Sequence, residues 1–196
     1  MACTTATDPN SLEWCEGQIN LPGLRPKVFF TPKSNIVQWP TRPSVLATGE
    51  TMGKLATYSG NFVLAAEKVW QFMDILVDRS PATSEVQGTK PSKTYLNQAV
   101  LVVANTDAEA AGFSQLAANS DYVYLVQDKP GKYRVIGNDM YQTNTDVALA
   151  MGGAATDEMG TTITASVTDL CHMPFYEGEI ETADGTINPS TPPETP

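Results

Sequence analysis

Charge is scarce in this sequence. Only 17% of its 196 residues are charged, against the roughly 25% usual in soluble domains. Cysteine occurs three times, at Cys3, Cys15 and Cys171, an odd count with no CxxC pair. That excludes a disulfide framework and points to reduced thiols in an intracellular protein. Histidine occurs once, as His172, so Ser–His or Cys–His catalysis has a single base to draw on. No apolar run approaches the roughly 18 residues of a membrane-crossing helix, and no membrane partner is expected. The polar opening Met1–Asn10 lacks a basic segment followed by an apolar one, so no secretory signal is expected. Neither GxxxxGK[ST] nor GxGxxG is present, which removes the common phosphate cradles. No internal repeat is visible.

Basic residues run out along the chain. Residues 1–98 carry nine basic and eight acidic groups, residues 99–196 three and fourteen. After Arg134 there is no Lys or Arg, while ten acidic residues follow. Such a segment has nothing to grip a phosphate backbone and repels it instead. Specific nucleic-acid binding is therefore not expected. Zinc ligands drawn from Cys3, Cys15, Cys171 and His172 fit no zinc spacing. Glu177, Glu179 and Glu181 alternate as they would on one face of a strand, with Asp184 following. They lack the fixed glycine of a calcium loop. No catalytic residue, metal or cofactor is expected, and the acidic stripe reads as a solvated face.

What is present is β structure. Lys27–Thr31, Asn35–Trp39, Thr94–Ala104 and Thr161–Thr168 read as strands from their β-branched and aromatic content. Val69–Val77 reads as a strand buried on both faces or a short helix, its aromatic and β-branched content favouring the strand. Lys54–Ser59 and Asn61–Ala65 flank Ser59-Gly60 as a hairpin. Tyr122–Gln127 and Lys132–Gly137 flank Asp128-Lys129-Pro130-Gly131 as a second, clearer one. A short extended piece is expected at Ser84–Gln87, a weaker strand over Met140–Ala148, a loop over Leu149–Gly160 and a last strand over Pro174–Ile180. One helix, about 106–119, starts from a Thr106/Glu109 capping box. It carries an apolar stripe of Ala110, Phe113, Leu116 and Ala117 and ends at a left-handed Asn119. The expected fold is α+β, mostly β: an antiparallel sandwich or partly closed barrel with one packed helix. Residues 1–25 form an extended N-terminal arm, 26–183 a single β-rich domain, and 184–196 a disordered or extended Pro/Thr-rich tail. Trp14, Leu21 and Leu24 in the arm are apolar without periodicity, as in a segment that packs on a neighbouring copy.

Three stretches carry a resemblance: Cys15–Ile36 (CEGQINLPGLRPKVFFTPKSNI), Asp121–Asp139 (DYVYLVQDKPGKYRVIGND) and Gly160–Ile180 (GTTITASVTDLCHMPFYEGEI). Together they resemble structural proteins of tailed bacteriophages and prophages of Bacteroidetes hosts, and within that group tail-tube-like proteins. The matching residues are the hairpin run Gly131 to Asn138 and the late Pro174, Phe175, Tyr176 and Gly178. Pro130 is a departure within the hairpin. The resemblance implies a non-enzymatic virion protein, made in the host cytoplasm and assembled with copies of itself and other virion proteins. The assembly it implies is a ring, usually a hexamer, around a conduit that genomic DNA crosses without specific binding. Glu177, Glu179, Glu181 and Asp184 would then face that lumen or solvent. Capsid decoration, or a head–tail connector role, in the same kind of virion fits arm, sheet and acid as well. A carbohydrate- or protein-binding adhesin domain, with Trp14, Trp39 and Trp70 as stacking groups, is a further alternative.

Overall fold

A computed structural model describes residues 9, 11–45, 50–154 and 156–189. Cys3 and the tail beyond 189 lie outside the described residues. Fourteen strands and one helix follow in order: β1 (Lys27–Pro32), β2 (Ile36–Gln38), β3 (Thr57–Tyr58), β4 (Val63–Leu64), β5 (Gln71–Asp74), β6 (Ala82–Gln87), β7 (Thr94–Val103), α1 (Ala108–Ala117), β8 (Tyr122–Gln127), β9 (Tyr133–Ile136), β10 (Thr143–Ala150), β11 (Gly160–Asp169), β12 (Phe175–Tyr176), β13 (Ile180–Thr182) and β14 (Gly185–Ile187). The fold is α+β and mostly β, as the sequence implies, but no barrel closes. A six-stranded sheet, β3-β12-β9-β8-β1-β5, packs on a four-stranded sheet, β10-β11-β7-β6, with β3 and β5 bordering the first and β10 and β6 the second.

The centre of the six-stranded sheet is buried on both faces. Along β8, successive side chains point to opposite sides. Tyr122, Tyr124 and Val126 enter a core shared with Leu101, Ile163, Ala165 and Val167 of the four-stranded sheet. Val123 and Leu125 enter a second core with Phe62, Trp70, Tyr176 and Ile180. The ribbons β2–β4 and β13–β14 roof that second core through Ile36, Leu64, Ile180 and Ile187. Three layers result, which explains why Tyr122–Val126 is apolar without interruption.

Local turn chemistry sets the β8–β9 hairpin. Asp128 Oδ1 accepts from the Lys132 N–H at 2.7 Å. Gly131 takes φ 102°, a left-handed conformation that glycine adopts without strain.

Several expectations are corrected. Ser59-Gly60 joins no hairpin: β3 pairs in parallel with β12, and β4 pairs with β2. Residues 52–56 form a 3₁₀ turn. The strand expected over Val69–Val77 is the four-residue edge strand β5, with Gln71, Phe72 and Asp74 exposed rather than buried on both faces. The extended piece at Ser84–Gln87 is part of the longer β6. The helix is capped by Asp107, not Thr106. Asp107 Oδ1 accepts from the Ala110 N–H at 3.0 Å, and that bond holds the Asp107 carboxyl below its usual pKa. Asn119 is not left-handed; Glu67 and Met173 are the described non-glycine residues at positive φ. The ordered body also exceeds 26–183, because Leu24 enters the first core and Gly185–Ile187 pairs with β13.

Burial of tyrosines between the layers gives the fold an alkaline limit. Burial, and secondarily the Asp169 charge, pushes Tyr58 from 10.0 up to about 12. Burial likewise takes Tyr176 to about 12. Both phenols hold their protons more tightly folded than unfolded. Their stabilising contribution is therefore complete below pH 10 and is lost as pH rises towards 12. Denaturant titrations should show constant stability from neutral pH to about pH 10 and a steep fall above it. A flat profile through pH 12 would contradict the burial of these phenols.

Candidate assembly surfaces

Alternation in the four-stranded sheet sends one set of side chains to the core and the other to solvent. In β11, Thr161, Ile163, Ala165, Val167 and Asp169 are buried, while Thr162, Thr164, Ser166 and Thr168 stay partly open. The register sets Thr164 between Val100 of β7 and Asp146 of β10, and Ser166 between Gln98 and Asn144. On β6, Thr83 lies opposite Gln98 and Glu85 opposite Leu96. The strands give this face hydroxyls, amides and small apolar groups, with Glu85 and Asp146 as their charges and no Lys or Arg; at its β7 end stands the ion pair of Arg79 with Glu158, 2.6 Å. Its two border strands, β6 (ATSEVQ) and β10 (TNTDVALA), are unpaired on their outer sides. Neither contains the Lys or Pro that commonly blocks edge-to-edge pairing.

The arm divides at Leu24. Leu24 is 5% exposed and bridges to Asp128, and the Lys129 N–H donates to Gly23 O at 3.1 Å. Its expected role as an intermolecular contact is thereby corrected, since its side chain belongs to this chain's own core. Every described residue before it in the arm is exposed. Trp14 remains 66% exposed, with Leu12, Ile19 and Leu21 open beside it.

The acidic residues do not share one strand. Glu177 follows β12, Glu179 precedes β13, Glu181 lies within β13, and Asp184 sits in the β13–β14 turn. The break between them is built around Tyr176 and Asn61. Tyr176 Oη donates to Glu179 O at 2.7 Å and accepts from the Phe62 N–H at 3.1 Å. Asn61 Oδ1 accepts from the Glu179 N–H at 3.0 Å. This folding puts the carboxylates on the roof layer, across the six-stranded sheet from the solvent face of the four-stranded sheet. Gly178 allows the close approach: a Cβ there would meet Gly60 O, Asn61 Oδ1 and the Tyr176 hydroxyl inside van der Waals contact. Gly178→Ala should cost about 1–3 kcal/mol, measured by urea unfolding. A loss within experimental error would mean that this loop yields freely.

His172 has partners, and they set its chemistry. Asn97 Oδ1 accepts from the Met173 N–H and from Ser84 Oγ, while Asn97 Nδ2 donates to Cys171 O. An amide oxygen only accepts, so the Ser84 hydroxyl proton points at Asn97. Ser84 Oγ, 2.7 Å from His172 Nδ1, therefore receives the imidazole N–H. The histidine donates to the serine, which is the reverse of what nucleophile activation needs. The Tyr95 ring packs against the imidazole, centroids 4.2 Å apart. Among the described residues, no three His, Cys, Asp or Glu side chains converge in a metal-binding group. Cys15 lies exposed in the arm, apart from Cys171. The three tryptophans form no stacking platform: Trp70 is buried in the second core, and Trp39 packs edge-on against Phe62 at 5.3 Å.

In comparisons with known proteins, no family model, no curated protein and no solved structure matches this chain. The surface that sequence reading missed is the solvent face of the four-stranded sheet. The alternation in Gly160–Asp169 marks one of its strands. The register of β6, β7 and β10, which brings the other uncharged side chains alongside, has no local signal.

Proposed function

We propose that this chain is a self-assembling structural protein of a bacteriophage virion, a component of the tail tube or of a tail ring. The observation that carries the reading is the four-stranded sheet: a wide solvent face whose strands carry no cation, bounded by two edges that pair with no further strand among the described residues. The outer edge of β6 on one copy and of β10 on the next are different surfaces. Joining them is a heterologous contact, which closes into a ring when the rotation allows it. A ring lined by this face offers passing DNA hydroxyls and amides, and its strands carry no cation to hold phosphate. The exposed arm residues add a second adhesive surface. Glu177, Glu179, Glu181 and Asp184, on the opposite layer, then face solvent or outer neighbours.

Negative-stain microscopy of the purified protein should show rings or stacked tubes. A homogeneous monomer at high concentration would overturn the reading. In virions, Lys at Thr83, Gln98, Thr164 and Ser166 should leave assembly intact and slow DNA ejection. Lys at Glu177, Glu179, Glu181 and Asp184 should leave ejection unchanged. A capsid-decoration role makes both sets silent.

A further inference from the structure

We propose that the N-terminal arm of one copy adds as a strand to the open edge of β5 on a neighbouring copy, seating Leu12 and Trp14 in the apolar groove between β5 and α1. This rests on the self-assembly reading above but not on the identity of the assembly.

The acceptor is built from two features that coincide. The first is a short open stretch of strand edge, bounded by Trp70, whose outward N–H donates to Glu181 O, and by Leu76, whose N–H donates to Val102 O. β5 ends the six-stranded sheet, with β1 on its inner side. The Ile75 N–H donates to Pro26 O. Antiparallel bonding alternates from that pair, so the Met73 and Gln71 backbone groups also face β1, while those of Phe72 and Asp74 point out of the sheet. The second is a groove beside that edge, lined by Phe30, Phe72, Met73, Val103, Phe113 and Leu116. Phe113 packs edge-on against Phe30 at 5.3 Å and closes the floor. Leu116 remains 66% exposed along the rim. An open edge next to an apolar groove is what strand addition requires: main-chain bonds supply affinity and alternate side chains fill the groove.

The donor pattern is in the arm. Leu12 and Trp14 are two residues apart, as are Ile19 and Leu21, and a turn between Cys15 and Gln18 separates the pairs. Period-two apolar spacing puts both members of a pair on one side of an extended strand. In this structure the arm leaves its own body at the β8–β9 turn with both side chains in solvent, so its own groove is open. Glu13 and Glu16 flank Trp14. On an extended arm Glu13 points away from Leu12 and Trp14, to the face of β5 opposite the groove, where Lys27 stands as a complementary charge with its Nζ 4.2 Å from the Phe72 ring centroid.

Cys15 makes the contact testable in the full-length chain. With Cys3 and Cys171 replaced by Ser, a cysteine is introduced at Phe72 or, separately, at Asp74, and the protein is oxidised mildly. The expected result is a disulfide-linked ladder on a non-reducing gel from at least one of the two. A linked monomer places the arm on its own chain and overturns the proposal. Self-association without any link from either position also overturns it, leaving the assembly reading intact. No self-association at all removes both. Two further variants avoid the core: Leu116→Glu blocks the groove, and Leu12→Ser with Trp14→Ser blanks the arm. Each should weaken self-association at least about tenfold in sedimentation equilibrium. Mixed together, they should recover a one-to-one dimer, the first variant giving its arm and the second its groove. Unchanged association in both variants, or no recovery on mixing, overturns the proposal.

Discussion

Arg42→Ala is expected to lower the stability of the fold by about 3–5 kcal/mol. Arg42 Nη2 lies 2.8 Å from Asp169 Oδ1, and the two side chains are 11% and 0% exposed. Asp169 ends β11. Its Oδ1 also accepts from the Leu170 N–H, while Oδ2 is buried with no partner. Arg42 is thus the ion-pair partner of this buried carboxylate. Arg42 is tied to its surroundings as well: Nη1 donates to Leu55 O at 3.3 Å, and the guanidinium sits 5.5 Å from the Tyr58 ring centroid. Removing it strands a buried charge and frees the segment that approaches the end of β11. On a domain of this size the loss corresponds to a drop in Tm on the order of 10 °C. Replacing both partners, Arg42→Met with Asp169→Leu, should recover most of the loss, because no uncompensated charge then remains. Urea unfolding of the three proteins decides the matter. A single variant within about 1 kcal/mol of the parent would show that water reaches Asp169 and that the pair is not buried in solution.

Trp70→Ala should cost about 3–5 kcal/mol, through both the lost transfer of the indole and the cavity left behind. The ring is 2% exposed and meets Phe62 edge-on at 5.4 Å, in the core between the six-stranded sheet and its roof. Its backbone N–H donates to Glu181 O at 2.8 Å, and Trp70 bridges to Thr182. Loosening this residue therefore loosens the β13–β14 ribbon. Hydrogen exchange should quicken first in Ile180–Thr182 and leave the β7–β11 ladder protected. Trp14→Ala, in the exposed arm, should change the stability of the unassembled chain by no more than about 0.5 kcal/mol. Equal losses at the two tryptophans would contradict the three-layer arrangement.

Several elements were readable from the sequence because their causes are local. Asp128 and Gly131 carry the hydrogen bond and the positive φ that close the β8–β9 hairpin. The alternation in Thr161–Thr168 is the alternation of β11, buried side chains on one face and hydroxyls on the other. Helix α1 lies where its acidic start and alanine-rich interior put it, with the cap one residue late because Asp107, not Thr106, reaches the Ala110 N–H. The exposed apolar arm was readable too, except at Leu24.

Partners distant in the chain were not readable. Thr57–Tyr58 resembles half of a hairpin with its neighbours. It pairs instead with Phe175–Tyr176 because Tyr58, Phe62 and Tyr176 close one core together. Leu24 looks like the rest of the arm until the β8–β9 turn gives it a backbone partner and a buried place. Glu177, Glu179, Glu181 and Asp184 look like one stripe until Tyr176 and Asn61 turn the chain between them. The solvent face whose strands carry no cation is assembled from four strands spread over residues 82–169. By itself the sequence determined the β-rich class, the single helix, the main hairpin and the want of basic residues after Arg134. Only the tertiary structure decided which strands meet, which faces the two cores cover and where the remaining charge lies. Alternation and turn chemistry act over a few residues, whereas pairing and layering follow from apolar area buried between segments far apart in the chain.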